Sequence, residues 1–118
     1  RLTGLEVEHT VEGTPRRSLP AGSELAAYRA IQEALTNTVR HGGPRARAWV
    51  TQRWTGAGLE IEVLDDGRGA AASEQTQGSR QGLIGLKERI AIFGGTAEAG
   101  PRQGGGFRVF ATLPYQEV

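Results

Sequence analysis

Asp65 ends a segment whose alternation is typical of a β-strand with one buried face. In residues 59–65 the odd positions are apolar until Asp65, whereas glutamates occupy the other face. A carboxylate on a buried face is costly unless a donor reaches it. Gly67 and Gly69 follow at once and would let a ligand approach the backbone. An Asp-Gly turn that merely closes a strand is the commoner explanation of this motif alone, so the other motifs decide.

A second polar group lies in the predicted first helix. Glu33 and Asn37 are one helical turn apart, so their side-chain oxygens converge on one side. Such oxygens suit a hard divalent cation that water and phosphate also hold. Arg40 and His41 lie one turn further along, within reach of the same anion. A solvated polar face is the ordinary alternative, but threonines flank Asn37, and three poor helix formers in a helix interior favour a site.

Glycines form the third and fourth motifs. Gly82 and Gly85 enclose Leu83 at the predicted start of the second helix, where free N–H groups could bind phosphate oxygens. This motif alone is weak evidence, since glycine before a helix is common and the P-loop signature is missing. The run of glycines at 104–106 forms either a tight turn or part of a ligand site.

The composition excludes several classes of protein. A chain of 118 residues is one domain that can bury a core without disulfides. A net charge of +1, without a long run of one sign, gives no reason to expect nucleic acid. Zero cysteines and two histidines exclude thiolate metal sites and disfavour a histidine-based zinc site. No stretch approaches the roughly 20 apolar residues of a membrane span, so we expect no direct membrane contact. Because the chain begins with Arg1, we expect 1–118 to be a single domain excised from a longer protein.

Periodicity predicts five strands and two helices. The predicted strands cover about 5–12, 46–54, 59–64, 96–99 and 107–113, and the predicted helices about 23–41 and 83–93. A polar stretch from about 68 to 81 fits a mobile lid. Since hairpins dominate, we expect an α/β fold: a two-layer sandwich whose mainly antiparallel sheet is covered on one face by helices.

Two finer predictions concern the core. In the first strand, His9 alternates in phase with apolar residues, so we expect a structural histidine that faces inward. In the first helix, the expected apolar stripe consists of Tyr28, Ile31, Leu35 and Val39. On the solvent face, Arg47 and Arg53 of the second strand could pair with Glu60 and Glu62 of the third.

Taken in order, the four motifs resemble those of the Bergerat-fold ATPases. This superfamily joins sensor histidine kinases, type II topoisomerases, mismatch-repair ATPases and heat-shock chaperones. Residues 82–95, GLIGLKERIAIFGG, together with residues 33–41, resemble the catalytic and ATP-binding domain of the nitrate-sensor class of bacterial histidine kinases. The resemblance covers nearly the whole chain. Arg80 and Phe107 depart from it, since family members commonly have a glycine and a threonine there.

The resemblance implies that the cofactors are ATP and Mg²⁺. It implies that Asp65 accepts a hydrogen bond from the adenine amino group, with Gly67 and Gly69 shaping the adenine pocket. It makes Asn37 the Mg²⁺ ligand and Glu33 the residue that orients or activates the reacting groups.

The resemblance also implies a phosphate side of the site. Arg40 and His41 would lie near the phosphates. Gly82, Leu83 and Gly85 would hold the phosphate side of the lid.

The implied function is that of a cytoplasmic kinase domain in a two-component sensor. Such a domain transfers the γ-phosphoryl group of Mg-ATP to a histidine on a separate helical dimerisation domain of the same protein, and a response regulator receives it. The alternatives are an anti-sigma-factor serine kinase and a non-catalytic nucleotide sensor of the same fold. Neither His9 nor His41 is followed by an acid, as a phosphoacceptor histidine usually is, so we expect no autophosphorylation by this domain alone.

Overall fold

A computed structural model describes residues 5–41, 43, 45–67 and 77–117, without the side chains of His41 and of residues 77–83. The elements, in chain order, are β1 (Glu6–Glu12), α1 (Ser23–His41), β2 (Arg47–Trp54), β3 (Gly58–Asp65), α2 (Gln77–Ile92), β4 (Thr96–Pro101) and β5 (Phe107–Pro114). Their number and order agree with the sequence prediction. The main difference is the start of α2, six residues before the predicted Leu83, so residues 77–81 of the predicted lid are helical.

The five strands form one sheet in the order β1-β2-β3-β5-β4. The β2–β3, β3–β5 and β4–β5 pairs are antiparallel, whereas β1 runs parallel to β2. Buried residues of both helices join one face of the sheet in a single core. The predicted two-layer α/β sandwich with a mainly antiparallel sheet is therefore confirmed.

Helix α1 packs on the sheet through small side chains. Four alanines form its buried face, at positions 26, 27, 30 and 34, and none is more than 6% exposed. Tyr28 and Val39 are 61% and 43% exposed, so the predicted apolar stripe is wrong at these two positions. Ile31 and Leu35 are only partly buried against the core. Alanines are small, so they let the helix axis approach the sheet. The prediction gave most weight to large apolar side chains and therefore placed the buried face on the wrong side of the helix at Tyr28 and Val39.

Strand β1 differs from the prediction in its burial. All seven of its residues are exposed, including His9. The strand lies at the edge of the sheet beside β2, and none of its residues belongs to the core between the sheet and the helices. The inward-facing structural histidine predicted at position 9 is therefore wrong. Leu5, just before the strand, is buried at 7% exposure.

The face of the sheet opposite the helices carries ion pairs. Arg53 contacts Glu12 at 2.9 Å and Glu60 at 3.2 Å, which confirms the predicted pairing with Glu60. Arg47, which was also expected to pair with a glutamate of β3, contacts Glu6 of β1 at 3.3 Å instead. Hydrogen bonds, the largest from Glu12, raise the pKa of Arg53 above its ordinary value. Arg108 contacts Glu62 at 2.9 Å. Exposed pairs of this kind contribute little stability each. They mark the solvent face of β3, so Asp65 lies on the opposite face, towards the helices.

Candidate functional site

Asp65 is the last residue of β3 and lies on the face that the helices cover. Leu59, Ile61 and Val63 share this face with exposures of 4%, 1% and 3%, and Asp65 is 5% exposed. In the sheet register it lies opposite Ala48 of β2 and Phe107 of β5. The predicted buried carboxylate at a strand end is thus present.

Among the residues that the structure describes, two donors hold the Asp65 carboxylate. The hydroxyl of Thr38 donates to Oδ2 at 2.8 Å, and the backbone N–H of Gly67 donates to Oδ1 at 2.9 Å. A carboxylate has about four acceptor positions. Asp65 therefore keeps capacity to accept a further hydrogen bond from a ligand while both protein bonds stay in place.

The backbone around Asp65 is fixed by its neighbours. The backbone N–H of Arg47 donates to Oδ1 of Asp66 at 2.6 Å, and the N–H of Asp66 donates back to the carbonyl of Arg47 at 3.2 Å. On the other side, the Arg102 guanidinium donates to the Asp65 carbonyl at 2.8 Å. The end of β3 is thus tied to both neighbouring segments before any ligand binds.

The glycine run at 104–106 forms part of this arrangement. All three residues have positive φ, between 88° and 113°, which favours glycine. A Cβ atom at Gly106 would collide with the carbonyl oxygen of Asp65, whereas one at Gly104 or Gly105 would meet nothing within 4 Å. The structure shows a tight turn at this run, which is one of the two interpretations left open by the sequence. Gly106, the last residue of the run, packs directly on the end of β3 that carries Asp65.

Helix α1 carries the predicted polar residues and contacts Asp65 through Thr38. Glu33 and Asn37 are half-buried, and each immediately precedes a buried residue, Ala34 or Thr38. They therefore lie one turn apart on the same flank of α1, as predicted. Because Thr38 binds Asp65, the backbone of Asn37 is one residue away from the carboxylate's hydrogen-bond partner.

The structure gives less information on the other predicted site residues. Arg40 is exposed on the last turn of α1, and His41 ends that helix. Gly67 is half-buried and holds Asp65, whereas Gly69 lies outside the described residues.

Gly82 and Gly85 lie within α2 and not at its start, which is Gln77. Only the first four N–H groups of a helix lack intrahelical partners. The predicted helix start at Leu83 is therefore wrong, and a phosphate role for Gly82, Leu83 and Gly85 cannot rest on free N–H groups in this arrangement.

Two residues of the site were not assigned a role from sequence. Thr38 is 2% exposed, so its hydroxyl needs a partner. Its burial is a structural result, and the sequence signal was a poor helix former in a helix interior. Arg102 carries no local signal, because its partner Asp65 is 37 residues away in the chain.

The described residues hold no group of three or more histidine, cysteine, aspartate and glutamate side chains that could bind a metal ion by itself. Neither described helix is long and apolar enough to cross a membrane.

Among the described residues, two surface cavities lie away from Asp65. One, of about 240 Å³, lies between β1 and β2, and the other, of about 140 Å³, lies by the β2–β3 hairpin. Neither is lined by Asp65, Glu33 or Asn37. We place the site at Asp65 because a buried carboxylate with spare acceptor capacity is stronger evidence of a ligand than surface shape.

Residues 22–117 match the model of the family of histidine kinase-, DNA gyrase B- and HSP90-like ATPases. The chain belongs to this family. Membership confirms the superfamily that the four motifs predict, and makes ATP the nucleotide of this ATPase domain.

Individual members of the ATPase family resemble the chain along nearly its whole length. The sensor histidine kinase LiaS of Bacillus subtilis (strain 168) is 29% identical over 93% of this chain, and the sensor histidine kinase YxjM of the same organism is 32% identical over 95%. The chain spans only 29% and 26% of these two relatives. The solved ATP binding domain of PrrB from Mycobacterium tuberculosis is 27% identical, with a TM-score of 0.65 over 97% of this chain and 82% of that domain.

Proposed function

We propose that the chain is the ATP-binding catalytic domain of a sensor histidine kinase. The observation that carries the proposal is the buried carboxylate of Asp65, held by Thr38 and Gly67 beside the helix that presents Glu33 and Asn37. The sensor kinases among the relatives favour this function over an anti-sigma-factor serine kinase.

Asp65 recognises the adenine base in this proposal. An ionised carboxylate only accepts hydrogen bonds, and the exocyclic amine of adenine only donates them. Guanine presents a carbonyl at the same ring position, so two acceptors would face each other at a buried site, which is costly. Gly67 and Gly69 leave room for the base beside the strand end.

Asn37 and Glu33 serve the phosphate end. The amide oxygen of Asn37 is a suitable Mg²⁺ ligand, and phosphate and water would supply the other ligands. A bound Mg²⁺ would neutralise phosphate charge. Glu33, one turn before Asn37, orients the reacting groups.

Further residues of the proposed phosphate side lie on both helices. Arg40 and His41, at the end of α1, lie beside the phosphates. The resemblance of residues 82–95 to histidine kinases supports a place for Gly82, Leu83 and Gly85, within α2, on the phosphate side, although free N–H groups do not.

The phosphoryl group passes to a histidine outside this chain. Phosphoryl transfer needs positioning and charge stabilisation, which this domain supplies, whereas a helical dimerisation domain of the same protein supplies the acceptor. A response regulator then receives the phosphoryl group. We place the domain in the cytoplasm, where ATP and the regulator are found.

Radiolabelled ATP tests this division of labour. The domain alone should acquire no label, whereas adding the helical dimerisation domain of the parent protein should give acid-labile phosphohistidine on that domain. Glu33→Ala and Asn37→Ala should impair the transfer. Stoichiometric phosphohistidine on the isolated chain, or acid-stable phosphoserine on the partner, would contradict the proposal.

A further inference from the structure

The hydroxyl of Thr38 has two acceptors and one proton. Its Oγ1 lies 2.8 Å from Oδ2 of Asp65 and 3.2 Å from the backbone carbonyl of Ala34, one turn earlier in α1. Hydrogen bonds to an ionised acceptor are shorter and stronger than those to a neutral carbonyl. The proton is therefore committed to Asp65, although a helical threonine would ordinarily bond back to its own helix.

We infer that Thr38 is a positioning residue that sets the preference of this site for adenine. The inference rests on the proposed function. It assigns the preference for adenine partly to Thr38, a residue that need not touch the nucleotide. With Thr38 on Oδ2 and the Gly67 N–H on Oδ1, both oxygens of the carboxylate are fixed. Their remaining lone pairs then point in set directions, which is what discrimination between an amine and a carbonyl requires.

The two donors differ in structural setting. Gly67 lies in the bend after β3. Thr38 lies inside the 19-residue helix α1 and is 2% exposed, packed among core residues. Helices position functional groups more precisely than loops, so Thr38 is the donor that fixes the carboxylate.

The same bond links the two halves of the site. Asn37, proposed to bind Mg²⁺, is the residue before Thr38 on α1. A rotation of α1 that moves Asn37 would also move the donor on Asp65. Base recognition and the metal end of the site therefore share one rigid element.

Affinities for ATP and inosine triphosphate test the inference. These nucleotides share the ribose and triphosphate, but inosine carries a carbonyl where adenine carries the amine. By titration calorimetry, Thr38→Val should weaken ATP binding about 10-fold, as expected when the charge-assisted hydrogen bond between Asp65 and the adenine amine is lost. The affinity for inosine triphosphate should stay nearly unchanged. Thr38→Ser, which keeps the hydroxyl, should retain the wild-type ratio. Thr36→Val, a matched change on the same helix, should retain it too.

Each result decides the matter. If Thr38→Val weakens the binding of both nucleotides equally, or changes neither affinity, the ratio of the affinities stays that of the wild type. Either result would overturn the inference, and equal losses would show a merely structural role. If thermal melting shows that Thr38→Val does not fold, Thr38→Cys keeps a similar volume with a weak donor, and a wild-type ratio there overturns the inference equally. A wild-type domain that does not prefer ATP would overturn both this inference and the proposed function. Preference in the wild type that Asp65→Ala abolishes and Thr38→Val preserves would remove this inference alone.

Discussion

The guanidinium of Arg102 donates a hydrogen bond of 2.8 Å to the backbone carbonyl of Asp65. The bond joins the turn between β4 and β5 to the strand end that carries the buried carboxylate. The backbone N–H of Arg102 also donates to the carbonyl of Gly106 at 2.9 Å. One residue thus closes the turn and ties it to β3, so the conformation of the turn and the position of Asp65 depend on each other.

Gly106→Ala should destabilise the domain and weaken ATP binding. A Cβ at this position would collide with the Asp65 carbonyl, and the φ of 96° is unfavourable for alanine. Gly104→Ala is a matched control, because its φ of 88° is similar and nothing lies within 4 Å of the added atom. We expect about 1 kcal/mol of destabilisation for Gly104→Ala from backbone strain alone and about 2–4 kcal/mol for Gly106→Ala, where overpacking adds to it. Urea unfolding measures both, and equal losses would contradict the packing of this turn on Asp65.

Arg102→Ala should reduce ATP affinity without unfolding the domain. Losing one hydrogen bond to the strand end removes about 1 kcal/mol, which corresponds to about 5-fold in the dissociation constant if the carboxylate shifts with its backbone. Gln103→Ala, at the next and exposed position, is the control and should bind ATP as the wild type does. The same affinity in Arg102→Ala and Gln103→Ala would mean that the turn does not influence the site.

Replacing Asn37 should separate metal use from base recognition. Asn37→Ala and Asn37→Asp should weaken the Mg²⁺-dependent part of ATP affinity more than the affinity for metal-free ADP, because only the former uses the metal ligand. Calorimetric titrations with Mg²⁺ and with a chelator provide the comparison. If the loss of nucleotide affinity is the same with and without Mg²⁺, Asn37 has a structural role instead.

The elements of this fold could be predicted from the sequence because strong periodicity marks most of them. The bounds of α1, β2, β3 and β5 differ from the prediction by at most one or two residues, since turn residues and glycines mark their ends. The exposure of β1 could not be foreseen, because an alternating pattern does not reveal that a strand lies at a sheet edge. The face of α1 was misplaced at Tyr28 because alanines contribute little to an apolar pattern and yet allow the closest packing.

The candidate site was only partly predictable for a similar reason. Asp65 breaks the alternation of its own strand, so the local sequence was enough to identify it as a candidate. Its partners Thr38 and Arg102 come from 27 and 37 residues away, and only the sheet register and the packing of α1 bring them together. The early start of α2 was missed because Gln77–Arg80 are polar residues and a glycine, without the apolar spacing that marks a helix.

Adenine recognition by Asp65 is tested most directly by calorimetric titration of the domain with ATP and GTP. The wild type should bind ATP about 10-fold or more tightly than GTP, since the buried carboxylate accepts from the adenine amine and would oppose the guanine carbonyl. Asp65→Ala should lose most ATP binding while its circular dichroism spectrum stays that of the wild type. Equal affinities of the wild type for ATP and GTP, or undiminished ATP binding by Asp65→Ala, would contradict the assignment of this site.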